Sequence, residues 1–375
     1  MHTLTSSLQT PSRLAQIARA RVAVMREGRS IFEALPPSGP EGAWIERSWH
    51  RCLAQGFRAE EAVAFDLISP QARRRLHEAH EGLMAAAQPT LQQLGHVLAS
   101  TRYFAILTNE RGVVIEAHGP IDREDRRAQL ITRPGVNLSE SSVGTTAIGA
   151  ALAELQPVWL HRGEHFFEDT SCYSCAGAPI LGPDGRCVGM LDLTGIDAVE
   201  RPELKHLVAQ AARAIENALT QSRPHRLMLR LNWPGRLLGS DEDGLLALDG
   251  EGNVRGANSA ARQMIPALQT GDGQTHCSEL FAQSWEPLFD QADRLAPQPL
   301  EMMLWSGLRP SVLPVTAGAA RTTTPAPAAA PLREVEISLI RKAVADARGN
   351  VARAAKALGI SRATVYRKLA QKSRP

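Results

Sequence analysis

The spacing of apolar residues divides the chain into helical and strand-rich stretches. Residues 12–35 have the period of a helix, which we expect to end at Pro36 and Pro37. A second helix is predicted because apolar residues again recur at helical spacing, together with one serine, at Trp44, Ile45, Ser48, Trp49, Cys52 and Leu53. Two tryptophans on one stripe usually pack in a core. We therefore predict that residues 1–81 form a helical region that packs on the next domain.

Three pairs of short apolar runs follow, and an Asp-, Asn- or Gly-containing turn separates the members of each pair. The pairs are 103–107 with 113–115, 176–181 with 188–193, and 245–248 with 254–258. Each has the pattern of an antiparallel hairpin. Their recurrence predicts two related antiparallel-sheet modules, at 82–222 and 236–316. A helix at 203–219, apolar on one face, is expected to close the first module.

The segment 332–375 returns to helical spacing. Gly349 ends its first helix, and Asn350 is placed to cap the next. After a tight turn at 359–360, Ser361 caps a third helix. Two helices joined by a short turn with glycine, the second rich in Arg and Lys, form the pattern of a helix-turn-helix. We therefore predict an all-α domain over 332–375.

Positive charge is concentrated in this segment. Residues 332–375 contain eleven Lys or Arg and three Asp or Glu, although the whole chain has a net charge of only +3. A basic block on a small helical unit is expected where a protein binds phosphates, so a double-stranded DNA operator is the predicted partner. A solvated basic tail is the alternative, but the caps, turn and apolar stripe all agree with one fold. The stretch 317–331 is rich in Pro, Ala and Thr and is predicted to be a linker.

The remaining composition favours a globular protein. Hydrophobic residues make up 43% of the 375, which is enough for several packed cores. No apolar run reaches about eighteen residues, so we expect no membrane span. The N-terminus lacks the pattern of a signal peptide, and we expect a cytoplasmic protein whose five cysteines are reduced thiols. No cofactor is predicted.

The stretch GNVARAAKALGISRATVYRKL resembles the C-terminal helix-turn-helix of the Fis protein and of the sigma-54 activators that share it. The resemblance implies that the third helix enters the major groove of DNA. It places the DNA contacts at Arg353, Ser361, Arg362, Thr364, Tyr366, Arg367 and Lys368. The chemistry agrees, because Arg binds guanine edges or phosphate in a forked geometry and Ser and Thr hydroxyls bind either partner.

Residues 82–222 resemble a GAF domain of the acetoin-regulator type. The matching stretches are LSESSVGTTAIGAAL, GEHF, SCAGAPI and GMLDLTG. Thr146 stands where the family pattern has asparagine. Upstream, Ile45 to Cys52 resemble the entry segment of the same regulators. The start of 236–316, LLGSDEDGLLALDGEGNVRGANSAARQMI, resembles a PAS domain. The expected fold class is therefore α+β and multi-domain, with GAF and PAS-like domains before an all-α helix-turn-helix.

The ATPase motor of the sigma-54 activators has no counterpart in this sequence. In the sigma-54 activators, which this sequence resembles, an ATPase domain of a few hundred residues lies between the sensor and the helix-turn-helix. The phosphate-binding pattern GxxxxGK[ST] is missing, and the dipeptide Gly-Lys does not occur at all. Without that lysine-bearing loop, ATP-driven remodelling of a polymerase has no chemical site.

One cluster of His and Cys residues allows several interpretations. His161, His165, Cys172 and Cys175 have the spacings of two zinc half-sites. His165 and Cys175 belong to the GAF resemblance, where no zinc is implied, and we predict no metal site. Redox sensing by Cys172 and Cys175 is a second interpretation, and ordinary pocket or core residues are the third. Some GAF domains use cysteines to reduce free methionine sulfoxide, but a fused DNA-binding segment argues against an enzyme.

Hydroxyl residues before the Ala-rich stretch at 147–152 are candidates for effector binding. They could offer hydroxyls and helix N-terminal amides to a small polar molecule, or they could simply cap the helix. The predicted effector pocket consists of Ser142, Thr145, Thr146, His165 and Cys175.

The sequence thus predicts a transcriptional regulator that senses a small-molecule effector and acts on DNA without a motor of its own. A thiol redox or metal sensor with DNA binding as its output is the alternative. Because one helix-turn-helix covers few base pairs, we expect a homodimer. RNA polymerase or another regulator is a further candidate partner.

Overall fold

The computed structural model describes residues 13–30, 39–269 and 275–316, together with Val351 and Ala355. The chain divides into two compact units, Met1–Ala317 and Gly318–Pro375. Val351 and Ala355 are both helical, and Ala355 is buried. Among the described residues, no helix is long and apolar enough to cross a membrane.

The described part of the first unit begins with four helices. They are α1 (Arg13–Met25), α2 (Gly39–Ala54), α3 (Pro70–Ala79) and α4 (Glu81–Leu98). The prediction of one helix over 12–35 is wrong at its C-terminal end. The chain leaves the helix after Met25, and Gly28 adopts φ +63°, a left-handed conformation that ends helices and favours glycine. The prolines at 36 and 37 lie outside the described residues.

A five-stranded antiparallel sheet follows, which we call the first sheet. Its strands are β1 (Tyr103–Asn109), β2 (Val114–His118), β3 (Val158–His161), β4 (Tyr173–Leu181) and β5 (Cys187–Ile196). Their spatial order is β2-β1-β5-β4-β3, and the predicted hairpins β1–β2 and β4–β5 are confirmed. The helices α5 (Arg126–Thr132), α6 (Glu140–Val143) and α7 (Ala147–Glu154) connect β2 to β3.

Helices cover both faces of the first sheet. On one face, α4 and α8 (Leu204–Ser222) enclose an apolar core that includes Leu191 and Leu193 of β5. Because successive side chains alternate across a strand, Asp192 and Thr194 point to the other face. There a second core contains Trp44, Trp49 and other residues of the N-terminal helices. The N-terminal region therefore packs on the face that carries the polar side chains of β5.

The second sheet contains β6 (Leu227–Asn232), β7 (Gly244–Leu248), β8 (Val254–Ala257), β9 (Leu300–Glu301) and β10 (Ser311–Thr316). Its spatial order is β8-β7-β6-β10-β9, and it packs with α9 (Ser259–Met264), α10 (Cys277–Leu280) and α11 (Pro287–Ala292). The predicted hairpin β7–β8 is confirmed. The sheet starts at Leu227 rather than at 236, because its central strand precedes the PAS-like pattern. Pro314 lies inside β10. Its missing N–H does not interrupt the pairing with β9, because β9 pairs only with Ser311 and Val312.

The two sheets are joined by hydrogen bonds between their elements. The amide of Ala257 on β8 donates to the carbonyl of Pro183 in the β4–β5 turn at 2.9 Å. Glu216 on α8 accepts from the backbone of Leu181 at 3.0 Å and from the Ser259 hydroxyl at 2.5 Å. The closing helix of the first sheet thus contacts the first helix of the second.

Candidate ligand-binding site

A small cavity of about 30 Å³ lies on the face of the first sheet that carries the side chains of Asp192 and Thr194. Apolar side chains form much of its wall, including Phe65, Ile106, Ile131, Leu138, Val143 and Ile148. The polar lining residues are Thr146, His165, Thr170, Tyr173, Cys175, Asp192 and Thr194. None of the described lining residues is a lysine or an arginine. An enclosed apolar space with a few convergent polar groups is the general form of a small-molecule site.

His165 is held as a neutral hydrogen-bond acceptor toward this cavity. Its Nδ1–H donates to the carbonyl of Arg162 at 2.8 Å, which leaves Nε2 without a proton. Burial lowers the pKa of His165 to about 4, so the imidazole is neutral near pH 7. Nε2 is buried and has no hydrogen-bond partner among the residues that the structure describes. A ligand hydroxyl or amide donor would satisfy it.

Asp192 is the second unpartnered polar group of the lining. The Thr194 hydroxyl donates to its Oδ2, whereas Oδ1 is buried and has no partner within the described ranges. Burial raises the pKa of Asp192 to about 7. Leaving a buried polar atom unsatisfied costs about 1–3 kcal/mol, and such atoms in folded proteins require a specific explanation. A ligand that hydrogen-bonds to Oδ1 provides one.

The two cysteines of the predicted redox pair have different environments. Cys175 lines the cavity, with its Sγ 3.5 Å from the Thr194 hydroxyl, whereas Cys172 is half-buried at the start of β4. Burial raises the pKa of both thiols, and that of Cys175 rises well above its usual value. Since the thiolate is the reactive form, these surroundings disfavour thiol chemistry at both positions. Both are free cysteines.

His161 does not join His165. It lies next to the ring of Trp159, on the face covered by α4 and α8, and its Nδ1 is 2.9 Å from the Ser174 hydroxyl. In the described part of the chain, no group of three or more His, Cys, Asp or Glu side chains could hold a metal ion. The His-x3-His spacing therefore separates the two rings instead of forming half of a metal site.

The hydroxyl residues of the predicted pocket lie in different environments, and only one of them lines the cavity. Thr146 lines the cavity and also caps α7, because its hydroxyl accepts from the Gly149 amide at 3.1 Å. Thr145 is buried behind the lining, 2.8 Å from the Ser48 hydroxyl. Ser142 is half-buried near Ser139 and does not line the cavity. Of the five predicted pocket residues, Thr146, His165 and Cys175 line the cavity.

Four polar lining residues escaped the sequence reasoning: Thr170, Tyr173, Asp192 and Thr194. An aspartate between the apolar residues of GMLDLTG was a usable signal, because an acid in a strand of this composition is expected to be buried. Tyr173 carried no such signal. Its hydroxyl donates to the carbonyl of Arg127 at 3.2 Å, a contact that depends on the tertiary fold.

The predicted DNA contacts lie outside the described residues. This applies to Arg353, Ser361, Arg362, Thr364, Tyr366, Arg367 and Lys368. Their assignment therefore stays a prediction from the sequence.

Comparisons with known proteins identify two segments of the chain. Residues 83–219 match the GAF domain family, and residues 331–371 match the family described as bacterial regulatory protein, Fis family. These matches confirm the predicted GAF domain, the predicted Fis-type helix-turn-helix and the α+β fold class. The PAS-like assignment of the second sheet stays a prediction.

Several curated regulators are similar to this chain. The acetoin catabolism regulatory protein of Cupriavidus necator is 31% identical over 258 residues, which are 66% of this chain and 38% of that protein. The signal-transduction and transcriptional-control protein of Clostridium beijerinckii is 25% identical over 222 residues, 59% of this chain and 35% of that protein. The acetoin dehydrogenase operon activator AcoR of Bacillus subtilis is 28% identical over 196 residues, 49% and 31% of the two chains.

The chain spans only 31 to 38% of the length of these three relatives. Among solved structures, the E. coli DhaR(N)–DhaL complex contains a chain with 15% identity. The alignment covers 72% of this chain and 99% of that one, with a TM-score of 0.46.

Proposed function

We propose that this chain is a transcriptional regulator whose first-sheet cavity binds a small uncharged molecule and whose Fis-type segment binds operator DNA. The observation that carries the sensing half is the pair of buried, unpartnered atoms, His165 Nε2 and Asp192 Oδ1, on residues that line one enclosed cavity. The DNA-binding half rests on the Fis-family match and on the basic charge of 332–375.

The lining defines the chemistry of the ligand. A neutral imidazole that accepts, and a carboxyl group with a pKa near 7, favour a molecule with hydroxyl groups. An anion is disfavoured, because the described lining contains no Lys or Arg and Asp192 would repel it. Acetoin, which appears in the names of two of the similar regulators, is an uncharged hydroxyketone of this class and is the first compound to test.

We also propose that the regulator acts as a homodimer and without ATP hydrolysis. Two helix-turn-helix segments on half-sites about one helical turn apart would supply the specificity that one lacks. The apolar stripe of α8, one candidate for the dimer contact, is buried inside its own domain at Leu204, Val208 and Ile215. The second sheet and the segment 332–344 are the remaining candidates. ATP turnover by the purified chain would contradict the motor-free proposal.

The experiment that tests this function begins by mapping the genomic DNA bound by the full-length protein. Affinity for the mapped operator is then measured with acetoin, with glycerol, and with lactate as an anionic control of similar size. We expect acetoin or glycerol, but not lactate, to change the affinity. His165→Phe should abolish that response, whereas His161→Phe, the same change outside the cavity, should preserve it.

The DNA-binding half is tested on the same operator. Arg362→Ala should weaken specific binding by about 1–3 kcal/mol if it grips a guanine edge. Arg353→Ala should instead weaken binding to all sequences and reduce its salt dependence. Unchanged affinity and specificity in Arg362→Ala would contradict the helix assignment.

The oligomeric state tests the dimer proposal. A protein that is monomeric at micromolar concentration would contradict it.

A further inference from the structure

The wall of the cavity that carries His165 is held from outside by α1. The guanidinium of Arg21 donates to the carbonyls of Gly163, His165 and Phe166 at 2.9, 2.5 and 2.8 Å. Three hydrogen bonds from one planar cation fix the path of this short segment. Burial lowers the pKa of Arg21, in keeping with its enclosed position against the Trp49 ring. Arg21 therefore sets where the backbone of His165 lies.

Helix α2 also forms hydrogen bonds with segment 163–166, and it contacts Glu140 and Thr145 next to the cavity. The indole Nε1–H of Trp49 donates to the carbonyl of Glu164 at 2.9 Å. Ser48 donates to Glu140 at 2.5 Å and lies 2.8 Å from the Thr145 hydroxyl, immediately before the lining residue Thr146. We call α1 and α2 the N-terminal cover. Both helices lie outside the segment 83–219 that matches the GAF family.

The opposite wall of the cavity is rigid by comparison. It consists of β1, β4 and β5, which are paired with one another along most of their length. The lining residues His165, Cys175 and Asp192 are buried, so a ligand reaches the cavity only if part of its wall moves aside. We expect the loop wall beneath the cover to move rather than the strands, because moving the strands would break the sheet ladders.

We propose that the N-terminal cover is part of the ligand site: Arg21 is a positioning residue for His165, and ligand entry requires the cover to lift from segment 163–166. This inference rests on the proposed ligand-binding function of the cavity. It makes the cover the element that senses occupancy, since an entering ligand displaces the segment to which Arg21 and Trp49 are bonded.

Cysteine labelling tests the cover without any ligand. The full-length protein is treated with iodoacetamide under native conditions, and alkylation of each cysteine is followed by peptide mass spectrometry. Cys175 lies inside the cavity, Cys52 lies on the side of α2 that faces Thr145, and Cys277 is buried in the core of the second sheet. Cys277 therefore reports global unfolding, whereas Cys175 and Cys52 report local opening.

We expect Arg21→Ala to raise the alkylation rate of Cys175 about tenfold while the rate at Cys277 stays unchanged. Arg19→Ala, on an exposed position of the same helix, is the matched control and should behave like the wild type. Trp49→Phe keeps the ring but removes the hydrogen bond to Glu164, and it should raise the Cys175 rate by a smaller factor. A cover that responds to occupancy should also lose protection of Cys52 when saturating acetoin is added.

Two results would overturn the proposal. One is a Cys175 rate that neither Arg21→Ala nor Trp49→Phe changes. The other is a parallel rise at Cys175 and Cys277 in both variants, which would mean general destabilisation. Accelerated Cys175 labelling in Arg21→Ala, combined with no effect of acetoin or glycerol, would support the cover and count against the proposed ligand class instead.

Discussion

The two sheets of the first unit share a spatial plan but differ in how their buried aspartates are satisfied. Each places a hairpin on one side of a central strand and two antiparallel strands on the other. In the first sheet, buried atoms of His165 and Asp192 lack partners within the described residues. In the second, the buried side chains of Asp243 and Asn258 are fully engaged. The difference indicates which sheet is built to accept a ligand.

The polar groups of the second sheet form a closed network. Asp243 accepts from Arg230 at 2.9 Å, from Asn232 at 3.1 Å and from the amide of Gly239 at 2.6 Å. The amide group of Asn258 accepts from the Leu245 backbone at 2.8 Å and donates to the Asp243 carbonyl at 2.9 Å. A satisfied network fixes one local structure and leaves nothing for a ligand to bind.

Strand order adds a second contrast. The central strand of the first sheet, β5, comes last along the chain, whereas the central strand of the second, β6, comes first. The recurring hairpins predicted two related modules, but the route of the chain differs between them. Because β6 follows α8 directly, the helix that closes the first sheet leads straight into the centre of the second.

The largest expected effect comes from breaking the closed network. Asp243→Ala leaves Arg230 and the Gly239 amide without their acceptor, and we expect a loss of about 3–5 kcal/mol in the free energy of unfolding. Urea denaturation measures it. Asp290→Ala, on an exposed position of α11, is the control and should stay within about 0.5 kcal/mol of the wild type. A loss below about 1 kcal/mol for Asp243→Ala would remove the contrast.

Replacing the buried aspartate of the first sheet, Asp192, should instead raise the free energy of unfolding at pH 8. Burial raises the pKa of Asp192 from 3.8 to about 7, so its contribution to stability is full below pH 4 and is lost as pH rises toward 7. Asp192→Asn cannot ionise, and at pH 8 it should be more stable than the wild type by at most about 4 kcal/mol.

Unfolding free energies at pH 5 and pH 8 give the measurement. The variant should keep a smaller slope of the same sign, because burial also raises the pKa of Glu164 to about 7. A variant that is less stable than the wild type at pH 8 would mean that Asp192 is satisfied in the free protein.

The smallest effect is expected at the junction between the sheets. Glu216→Gln and Ser259→Ala each remove part of the hydrogen bond that joins α8 to α9. A double-mutant cycle should give a coupling energy of about 1 kcal/mol. A coupling of zero would mean that the bond between Glu216 and Ser259 does not stabilise the junction.

Local patterns predicted the fold well, and tertiary contacts explain what they missed. All three hairpins follow from strand-turn-strand signals that lie within about twenty residues of sequence. The error at α1 arose because Gly28 in a left-handed conformation ended a periodic stretch early. His165 and Cys175 were found through a family resemblance. The sequence offered a signal for the burial of Asp192, but its place in the same cavity lining as His165 depends on the folded sheet.

The titration of Asp192 tests the ligand site most directly. Selective ¹³C labelling of aspartate carboxyl groups, with Asp192→Asn to assign the signal, gives its pKa in the full-length protein by nuclear magnetic resonance. We predict a midpoint near pH 7 that shifts when saturating acetoin or glycerol is added, because the ligand hydrogen-bonds to Oδ1. A midpoint near pH 4, or one that neither compound moves, would contradict the assignment of this cavity as the sensor site.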